Sequence, residues 1–225
     1  MALLEVCCGN LESVDAAVAG GVRRIELCSA LELDGLTPPV EWIREVRERY
    51  PSLIVHVLVR SRAGDFVYTP EEVETMAVQV EEALEAGADG IVIGCLTAGG
   101  DVDIPATERL VQTVGRTSIT FHRAFDVCKR PFDALEQIIA LGCDRILTSG
   151  QGPTVVEGSD MLRELRKRAD GRIIILPGGG VTPQNAGRIL AMTGCTEIHA
   201  SASETRNGKK VTSAARVAAI LNAIE

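Results

Sequence analysis

Gly21-Val-Arg-Arg-Ile-Glu-Leu-Cys28 is the stretch that decides the fold, because its pattern returns three more times along the chain. The related stretches are Gly87-Ala-Asp-Gly-Ile-Val-Ile-Gly94, Gly142-Cys-Asp-Arg-Ile-Leu-Thr-Ser149 and Gly194-Cys-Thr-Glu-Ile-His-Ala-Ser201. Each follows an amphipathic helical segment and begins at a glycine suited to the left-handed end of a helix. An apolar run starts three or four residues later. The pattern therefore predicts four joints between a helix and a following strand.

Eight units of a strand and a helix can be counted along the chain. Thr37-Pro38, Thr69-Pro70 and Thr182-Pro183 each place a capping threonine before a proline, and so predict the starts of three helices. The predicted strands lie near residues 3–8, 23–28, 53–60, 90–95, 117–123, 145–149, 173–176 and 197–202. Eight units predict an α/β fold, a TIM (β/α)8 barrel, with residues 1–225 as a single domain.

A doubly wound sheet and a division into two small domains are the alternatives. The first βα turn, Cys7-Cys8-Gly9-Asn10, lacks a dinucleotide fingerprint, so we expect no nucleotide cofactor. With 225 residues, 46% of them hydrophobic, the chain can bury a sizeable core, and no linker rich in Pro, Ser or Gly divides it. The single barrel is therefore preferred.

Composition restricts the partners of the protein. A net charge of −8, scattered basic residues and only 3% aromatic residues argue against nucleic acid. The chain has neither a basic leader before an apolar stretch nor a run of about 18 apolar residues, which predicts no membrane partner and a cytoplasmic location. Seven cysteines without a CxxC pair predict reduced thiols. We also expect a homo-oligomer.

Reactive side chains recur at every second position of the predicted strands. Because side chains two apart share a strand face, Glu5 points with Cys7, Glu26 with Cys28, and His199 with Ser201. Buried polar groups are unfavourable unless they are paired, so this set predicts a polar pocket. TIM barrels carry their chemistry at the carboxyl ends of the strands. His56 lies earlier in its strand and is interpreted as structural.

Two segments at the predicted barrel mouth combine basic and acidic groups. In Thr120-Phe-His-Arg-Ala-Phe-Asp126, His122 can act as an acid, base or metal ligand, Arg123 can hold an anion, and Asp126 can orient either of them. The loop from Arg60 to Phe66 carries Arg60, Arg62 and Asp65. Ligand contact is preferred over simple solvation for these side chains because both segments follow strands.

The loop after the seventh strand, Pro177-Gly-Gly-Gly-Val181, predicts an anion site. Gly178, Gly179 and Gly180 free the backbone to turn its N–H groups toward an anion near Ser201, with a helix start expected after Thr182. A tight turn that needs a positive φ is the alternative. Ser149-Gly150, after the sixth strand, carries a similar but weaker signal.

Several of these motifs, taken in order, resemble the CutC family. They are Leu-Glu-Val-Cys at 4–7, Arg-Ile-Glu-Leu-Cys at 24–28, Gly-Leu-Thr-Pro at 35–38, the loop at 60–65, Thr-Phe-His-Arg-Ala-Phe-Asp at 120–126, Leu-Thr-Ser-Gly at 147–150 and Pro-Gly-Gly-Gly-Val at 177–181. The match runs from about residue 3 to 205. The resemblance implies a cytoplasmic TIM barrel for copper homeostasis, with Cys7 and Cys28 as copper(I) ligands. Ser61 and Ala63 replace the proline and glycine more usual in the family.

Two classes of function follow from these residues. In the first, Cys7 and Cys28 bind copper(I), a soft ion that accepts two thiolates, with Cys95 as a candidate third ligand. In the second, the protein is an enzyme for a small anionic, phosphorylated or sugar-like metabolite. Its acid and base groups are then Glu5, Glu26, His122 and Asp126, and the anion is held by Arg60, Arg123 and the glycine loop. Cys7 and Cys28 can also be simple apolar filling of the barrel.

Overall fold

Strands and helices alternate along the chain in the computed structural model, which describes residues 2–206 and 209–225; residues 1, 207 and 208 of the predicted domain lie outside the described residues. The strands are β1 (Leu3–Cys8), β2 (Arg24–Leu27), β3 (Ile54–Leu58), β4 (Gly90–Ile93), β5 (Ser118–Phe121), β6 (Arg145–Thr148), β7 (Ile174–Pro177), β8 (Glu197–Ala200), β9 (Ser203–Arg206) and β10 (Lys209–Thr212). The helices are α1 (Leu11–Ala19), α2 (Val40–Arg49), α3 (Pro70–Glu85), α4 (Ile104–Val114), α5 (Pro131–Ala140), α6 (Ser159–Ala169), α7 (Ala186–Thr193) and α8 (Ala214–Ile224).

The four glycines that open the repeated stretches have left-handed backbone conformations. Their φ angles are +95° at Gly21, +98° at Gly87, +84° at Gly142 and +71° at Gly194. A side chain is strained in this region, whereas glycine adopts it readily. Each glycine therefore reverses the chain from a helix into the next strand, which confirms the predicted joints.

Helix starts follow the threonine and proline signal at one of the three predicted positions and depart from it at the other two. Thr69 caps α3 as predicted: its side chain accepts a hydrogen bond from the Glu72 backbone, and the Glu72 carboxylate accepts one from the Thr69 N–H at 2.8 Å. The predicted start after Thr182 is wrong by one turn. The Asn185 side chain accepts a hydrogen bond from the Thr182 N–H at 2.8 Å and closes a turn, so α7 begins at Ala186.

Thr37 is likewise not a helix cap, and α2 begins only at Val40. The Thr37 hydroxyl accepts a hydrogen bond from the Arg60 N–H at 2.9 Å and donates one to Gln79 at 2.8 Å. The hydroxyl thus joins the loop after β2 to the end of β3. A tertiary contact has replaced the local cap.

The eight strands β1 to β8 form one parallel sheet that curls into the predicted TIM barrel. Hydrogen-bonded neighbours run β7-β6-β5-β4-β3-β2-β1-β8, and a single parallel bridge between Gly178 and His199 joins the two ends. The register places Glu5 opposite His199 and Cys7 opposite Glu26. The short antiparallel pair of β9 and β10, absent from the predicted elements, follows β8.

Buried apolar side chains form two clusters. The larger cluster fills the space between the barrel and the helices, and it contains the largest buried side chains, such as Phe121 and Phe125. The smaller cluster consists of Cys7, Cys28, Leu58 and Val92. Among the helices of the described chain, none has the length and apolarity needed to span a membrane.

Candidate functional site

A cavity of about 560 Å³ opens at the carboxyl ends of the strands. The predicted site residues that line it are Cys7, Glu26, Arg60, His122, Arg123, Asp126, Gly179, Gly180, His199 and Ser201. The lining residues that the sequence did not single out as candidates are Leu31, Asp34, Leu58, Phe66, Val127, Leu147, Val181, Ala200 and Lys210. The cavity therefore brings together residues from all parts of the chain, with thiol, carboxylate, imidazole and guanidinium groups on one surface.

Arg62 and Asp65 lie outside this lining. Arg62 Nε donates to Glu72 at 2.6 Å, and Arg62 Nη2 donates to Asp65 at 2.9 Å. Both partners are carboxylates of the same surface region, and the Asp65 side chain is largely exposed. Together, the two ion pairs of Arg62 hold the loop after β3 against the start of α3.

Ser149 and Gly150 also lie outside the lining, behind the cavity wall. A Cβ on Gly150 would lie 2.3 Å from the Gly158 carbonyl oxygen, so this loop packs directly on backbone. The Ser149 hydroxyl donates to the Gly152 carbonyl at 2.6 Å. Gly178 also lies outside the cavity lining, because its backbone pairs with that of His199. These three residues shape the loops that carry the lining.

Two thiols lie side by side at the floor of the cavity, with Cys7 in the lining and Cys28 fully buried. Cys7 Sγ is 3.7 Å from Cys28 Sγ and 3.6 Å from Glu26 Oε1. At this distance one thiol donates a hydrogen bond to the other sulfur, and the two sulfur atoms are close enough for one ion to bind both after they lose their protons. The hydrogen bond with Cys28, followed by burial, raises the pKa of Cys7 well above its usual value. Both thiols are reduced.

His199 adds an imidazole to this pair. The side-chain ligand atoms of Cys7, Glu26 and His199 all lie within 4.8 Å of one another. Burial opposes protonation of His199, but hydrogen bonds to Cys7 and Glu5 and the charges of the two glutamates raise its pKa well above 6.5. Nδ1 is engaged by Glu5 at 2.9 Å. Nε2 is therefore the ring nitrogen left for a ligand.

Cys95 does not join the thiol pair, and its prediction as a third ligand is wrong. It belongs to the large cluster between the barrel and the helices and is fully buried there. Burial, with a smaller contribution from Asp103, raises the pKa of Cys95 to about 12. The preceding residue, Gly94, faces His122 inside the barrel. Strand alternation therefore turns Cys95 outward.

Glu5 is fully buried below the floor and is the centre of an ion network. Its carboxylate lies 2.7 Å from Arg24 Nε and 3.1 Å from His56 Nδ1, in addition to the contact with His199. Although burial favours the neutral acid, hydrogen bonds from His199 and His56 and the charge of Arg24 hold the pKa of Glu5 well below its usual value. Glu5 thus reaches the cavity only through His199, and His56 is buried in the same network.

Arg24 also forms an ion pair with Glu197, which accepts a second hydrogen bond from Arg145 Nε at 2.9 Å. Arg145 in turn donates to the Ser118 hydroxyl at 2.6 Å. The sequence analysis did not predict these contacts among Arg24, Glu197 and Arg145. The alternation of Arg24 with Glu26 on one strand face was the signal that pointed to them.

Glu26 is the acid group at the floor of the cavity. Its side chain is almost completely buried and lines the cavity beside Cys7. Burial raises the pKa of Glu26, and the negative charge of Glu5 adds to this effect against the opposing charges of His199 and His56. Glu26 therefore keeps its proton to a higher pH than an exposed glutamate does, which suits a group that transfers protons.

His122 stands in the wall of the cavity as a neutral imidazole. Its Nδ1 accepts a hydrogen bond from the Ala124 N–H at 3.1 Å, so the ring proton is on Nε2. Burial, then the charge of Arg60, lowers the pKa of His122 to about 3. Gly94 makes room for the ring, because a Cβ there would lie 2.5 Å from Nδ1. The predicted strand over 117–123 ends at Phe121, and His122 caps the short 3-10 helix (Arg123–Val127) that follows.

Arg123 and Asp126 form the rim of the cavity on the side of β6. Arg123 Nε donates to Asp126 at 2.7 Å, and the Ser149 N–H donates to the same carboxylate at 3.0 Å. A Cβ on Gly179 would lie 3.4 Å from the Arg123 guanidinium carbon, so the cation lies directly against the glycine loop. Asp126 therefore orients Arg123 toward that loop.

The barrel and its site define a class of protein: a parallel (βα)8 barrel whose mouth combines thiols, a histidine and an acid group with basic side chains. The chain belongs to the CutC family, whose model matches residues 2–204. A CutC family protein of Bacteroides fragilis is 49% identical over 203 residues, covering 90% of this chain and 81% of the relative. One of Parabacteroides distasonis is 47% identical over 200 residues, covering 89% and 82%.

A solved structure supports the same assignment. CutC from Streptococcus agalactiae, a protein named for copper homeostasis, superposes with a TM-score of 0.85 at 32% sequence identity. The superposition covers 89% of this chain and 99% of that one. The two proteins therefore share the barrel fold.

Proposed function

We propose that this protein binds copper(I) through Cys7 and Cys28, with His199 as the third ligand, and buffers or carries the ion in the cytoplasm. The spacing of 3.7 Å between the two sulfur atoms carries the proposal. Thiolates and imidazole are the donors that a soft ion accepts, whereas carboxylates suit it poorly. Glu26 is therefore a neighbour of the bound ion and not a ligand.

The position of the donors fits a site that a small ion enters from the cavity. Cys7 and His199 line the cavity, and Cys28 lies behind Cys7 without exposure to solvent. A copper(I) ion held there is shielded by Leu58 and Val92, the two aliphatic members of the small cluster. The name of the Streptococcus agalactiae relative supports copper as the ion.

A competition titration with copper(I) under reducing conditions tests this proposal. Cys7→Ser and Cys28→Ser each remove one soft ligand, and each is expected to weaken binding at least about tenfold. Cys143→Ser is the matched control, because Cys143 is a buried thiol of the outer core. A double variant at Cys7 and Cys28 that keeps the parental affinity and stoichiometry would refute the site.

The size and charge of the cavity favour a second candidate, an enzyme for a small anionic metabolite. A cavity of about 560 Å³ with basic residues at its wall and rim exceeds what one copper ion needs. Glu26 is then the acid and base group, while Glu5 positions His199 and Asp126 positions Arg123. Gly179, Gly180 and Ser201 complete the anion site predicted at the rim.

This second candidate is tested with Glu26→Gln, which keeps the shape of the side chain and removes proton transfer. Metabolite extracts are incubated with the parental protein and with the variant, and depletion of small anions is followed by mass spectrometry. Depletion by the parental protein only, with copper(I) affinity equal in both, supports the enzyme. Absence of depletion by the parental protein refutes it.

A further inference from the structure

We propose that His122 and Arg60 form a subsite for an oxyanion, a carboxylate or phosphate oxygen of a small organic acid that occupies the cavity. This inference rests on the second candidate function and is independent of copper binding. It adds a second oxyanion position, in the wall between β3 and β5, to the anion site proposed at the glycine loop after β7.

The first observation is an unsatisfied donor. The Ala124 N–H occupies Nδ1 of His122, so Nε2 carries the ring proton. Nε2 is buried, and no described residue accepts a hydrogen bond from it. A buried donor without a partner is unfavourable by about 1–3 kcal/mol, so such groups are rare outside sites that a ligand completes. His122 lines the cavity and therefore offers this N–H to an occupant.

The second observation is a buried positive charge without a counter-ion. Arg60 is 4% exposed, and its Nη atoms donate to the backbone carbonyls of Leu33, Gly35 and Gly64 at 2.8–2.9 Å. Carbonyl oxygens accept these hydrogen bonds, but they do not neutralise the charge. Within the described residues, no carboxylate forms an ion pair with Arg60. Tyr68, the other polar group beside it, is held neutral because burial raises its pKa to about 12.

The acid groups of the cavity do not supply the missing charge. Asp126 is bound to Arg123 at 2.7 Å, and Glu26 accepts a hydrogen bond from the Cys7 thiol at 3.6 Å. Asp34, the third acid group of the lining, is exposed to solvent and forms no ion pair with a described residue. Arg60 therefore faces the cavity with its charge uncompensated. A buried cation of this kind is normally paired, so the geometry calls for an anion from outside the chain.

Phe66 fixes the two groups relative to each other. Its ring lies 5.0 Å from the ring of His122, and the Arg60 guanidinium carbon lies 5.1 Å from its centroid. The Phe66 carbonyl accepts a hydrogen bond from the Leu96 N–H at 2.8 Å, which anchors the loop. An apolar ring beside the two donors limits solvent screening and strengthens their attraction for an anionic oxygen. A cation is excluded, because both groups are donors without a lone pair.

The test uses the full-length protein, free of copper, with acetate and inorganic phosphate as probes. Binding is followed by calorimetry and by the ¹⁵N resonance of His122 Nε2. Acetamide has the shape of acetate without the charge, so it tests the role of the Arg60 cation. We expect acetate or phosphate to shift the Nε2 resonance and acetamide to leave it unchanged. The probe that binds more tightly shows whether the subsite prefers a carboxylate or a phosphate group.

His122→Asn is the decisive variant, and it is expected to weaken oxyanion binding at least about tenfold, because a hydrogen bond to a charged group is lost. Lys210→Met, which removes an exposed cation of the same cavity, is the control and should stay within about twofold. Equal binding by His122→Asn and parental protein overturns the subsite but leaves the second candidate standing. Binding of no anion by any form overturns both. Copper(I) titration of the same variants reports on the first proposal separately.

Discussion

The imidazole Nδ1 of His199 lies 2.9 Å from Oε1 of Glu5, on neighbouring strands and directly opposite in register. This contact connects the buried ion network to the floor of the cavity. Because Glu5 also contacts Arg24 and His56, its charge is fixed by several partners at once. The orientation and charge of His199 therefore depend on a residue that is buried away from the cavity.

Glu5→Gln is expected to destabilise the protein strongly. Removal of one member of a buried ionic group leaves its partners uncompensated and lowers the free energy of unfolding by about 3–5 kcal/mol. Urea unfolding measures the loss. Glu12→Gln, an exposed position in the first turn of α1, is the control and should change stability little. A loss below about 1 kcal/mol at Glu5 would mean that the network contributes no net stability.

Gly94→Ala is expected to displace His122. The added Cβ would lie 2.5 Å from the ring, so the imidazole or the strand must move, at about 1–3 kcal/mol. Gly99→Ala is the matched control, since its nearest neighbour would be a tolerable 3.4 Å away. Thermal unfolding and the histidine NMR spectrum of both variants check the prediction. An unshifted His122 resonance in Gly94→Ala would contradict it.

His122 is expected to make stability fall as the medium is acidified. Its pKa is about 3 in the folded state and 6.5 ordinarily, so between these values the unfolded chain binds the additional proton. Stability is then complete above pH 6.5 and declines below it, by about 2 kcal/mol between pH 7 and pH 5. Urea unfolding of the parental protein and His122→Asn at both pH values isolates this contribution. A parallel decline in the two proteins would argue against it.

Copper(I) affinity is expected to rise with pH. The pKa values of Cys7 and His199 are raised, so both groups hold protons near neutrality and must release them to bind the ion. Cys28 also binds as a thiolate, so three protons are released for each ion bound and the affinity increases about a thousandfold per pH unit. His199→Gln should reduce this dependence to about hundredfold per unit, because the two thiols still contribute. Competition titrations at several pH values measure both slopes; identical slopes would exclude His199 as a ligand.

Local signals in the sequence predicted the barrel well. Glycines at helix ends and apolar runs are properties of short segments, and Gly21 and Gly194 adopt the backbone conformations that they indicated. Where the local signal was wrong, a longer contact explains it. Thr37 caps no helix because its hydroxyl binds the backbone of Arg60.

The site was predictable at its rim and less so beneath it. Strand ends in a TIM barrel face one opening, so residues such as His122 and Arg123 could be placed there from position alone. The partners of Glu5 could not, because His199 lies 194 residues away along the chain and strand register depends on packing. Spacing likewise could not show that Cys95 turns outward while Gly94 faces His122.

The single bridge between Gly178 and His199 is the seam of the barrel, and His199 is thus both the residue that closes the ring and a member of the proposed copper site. His199 is also held from the other side, by the pairing of β8 with β1 and by the contact between its Nδ1 and Glu5. Opening of the seam alone would therefore leave the imidazole beside the two thiols. The three proposed donors lie on β1, at the end of β2 and on β8, so the proposed site depends on the order of these three strands and not on closure of the ring.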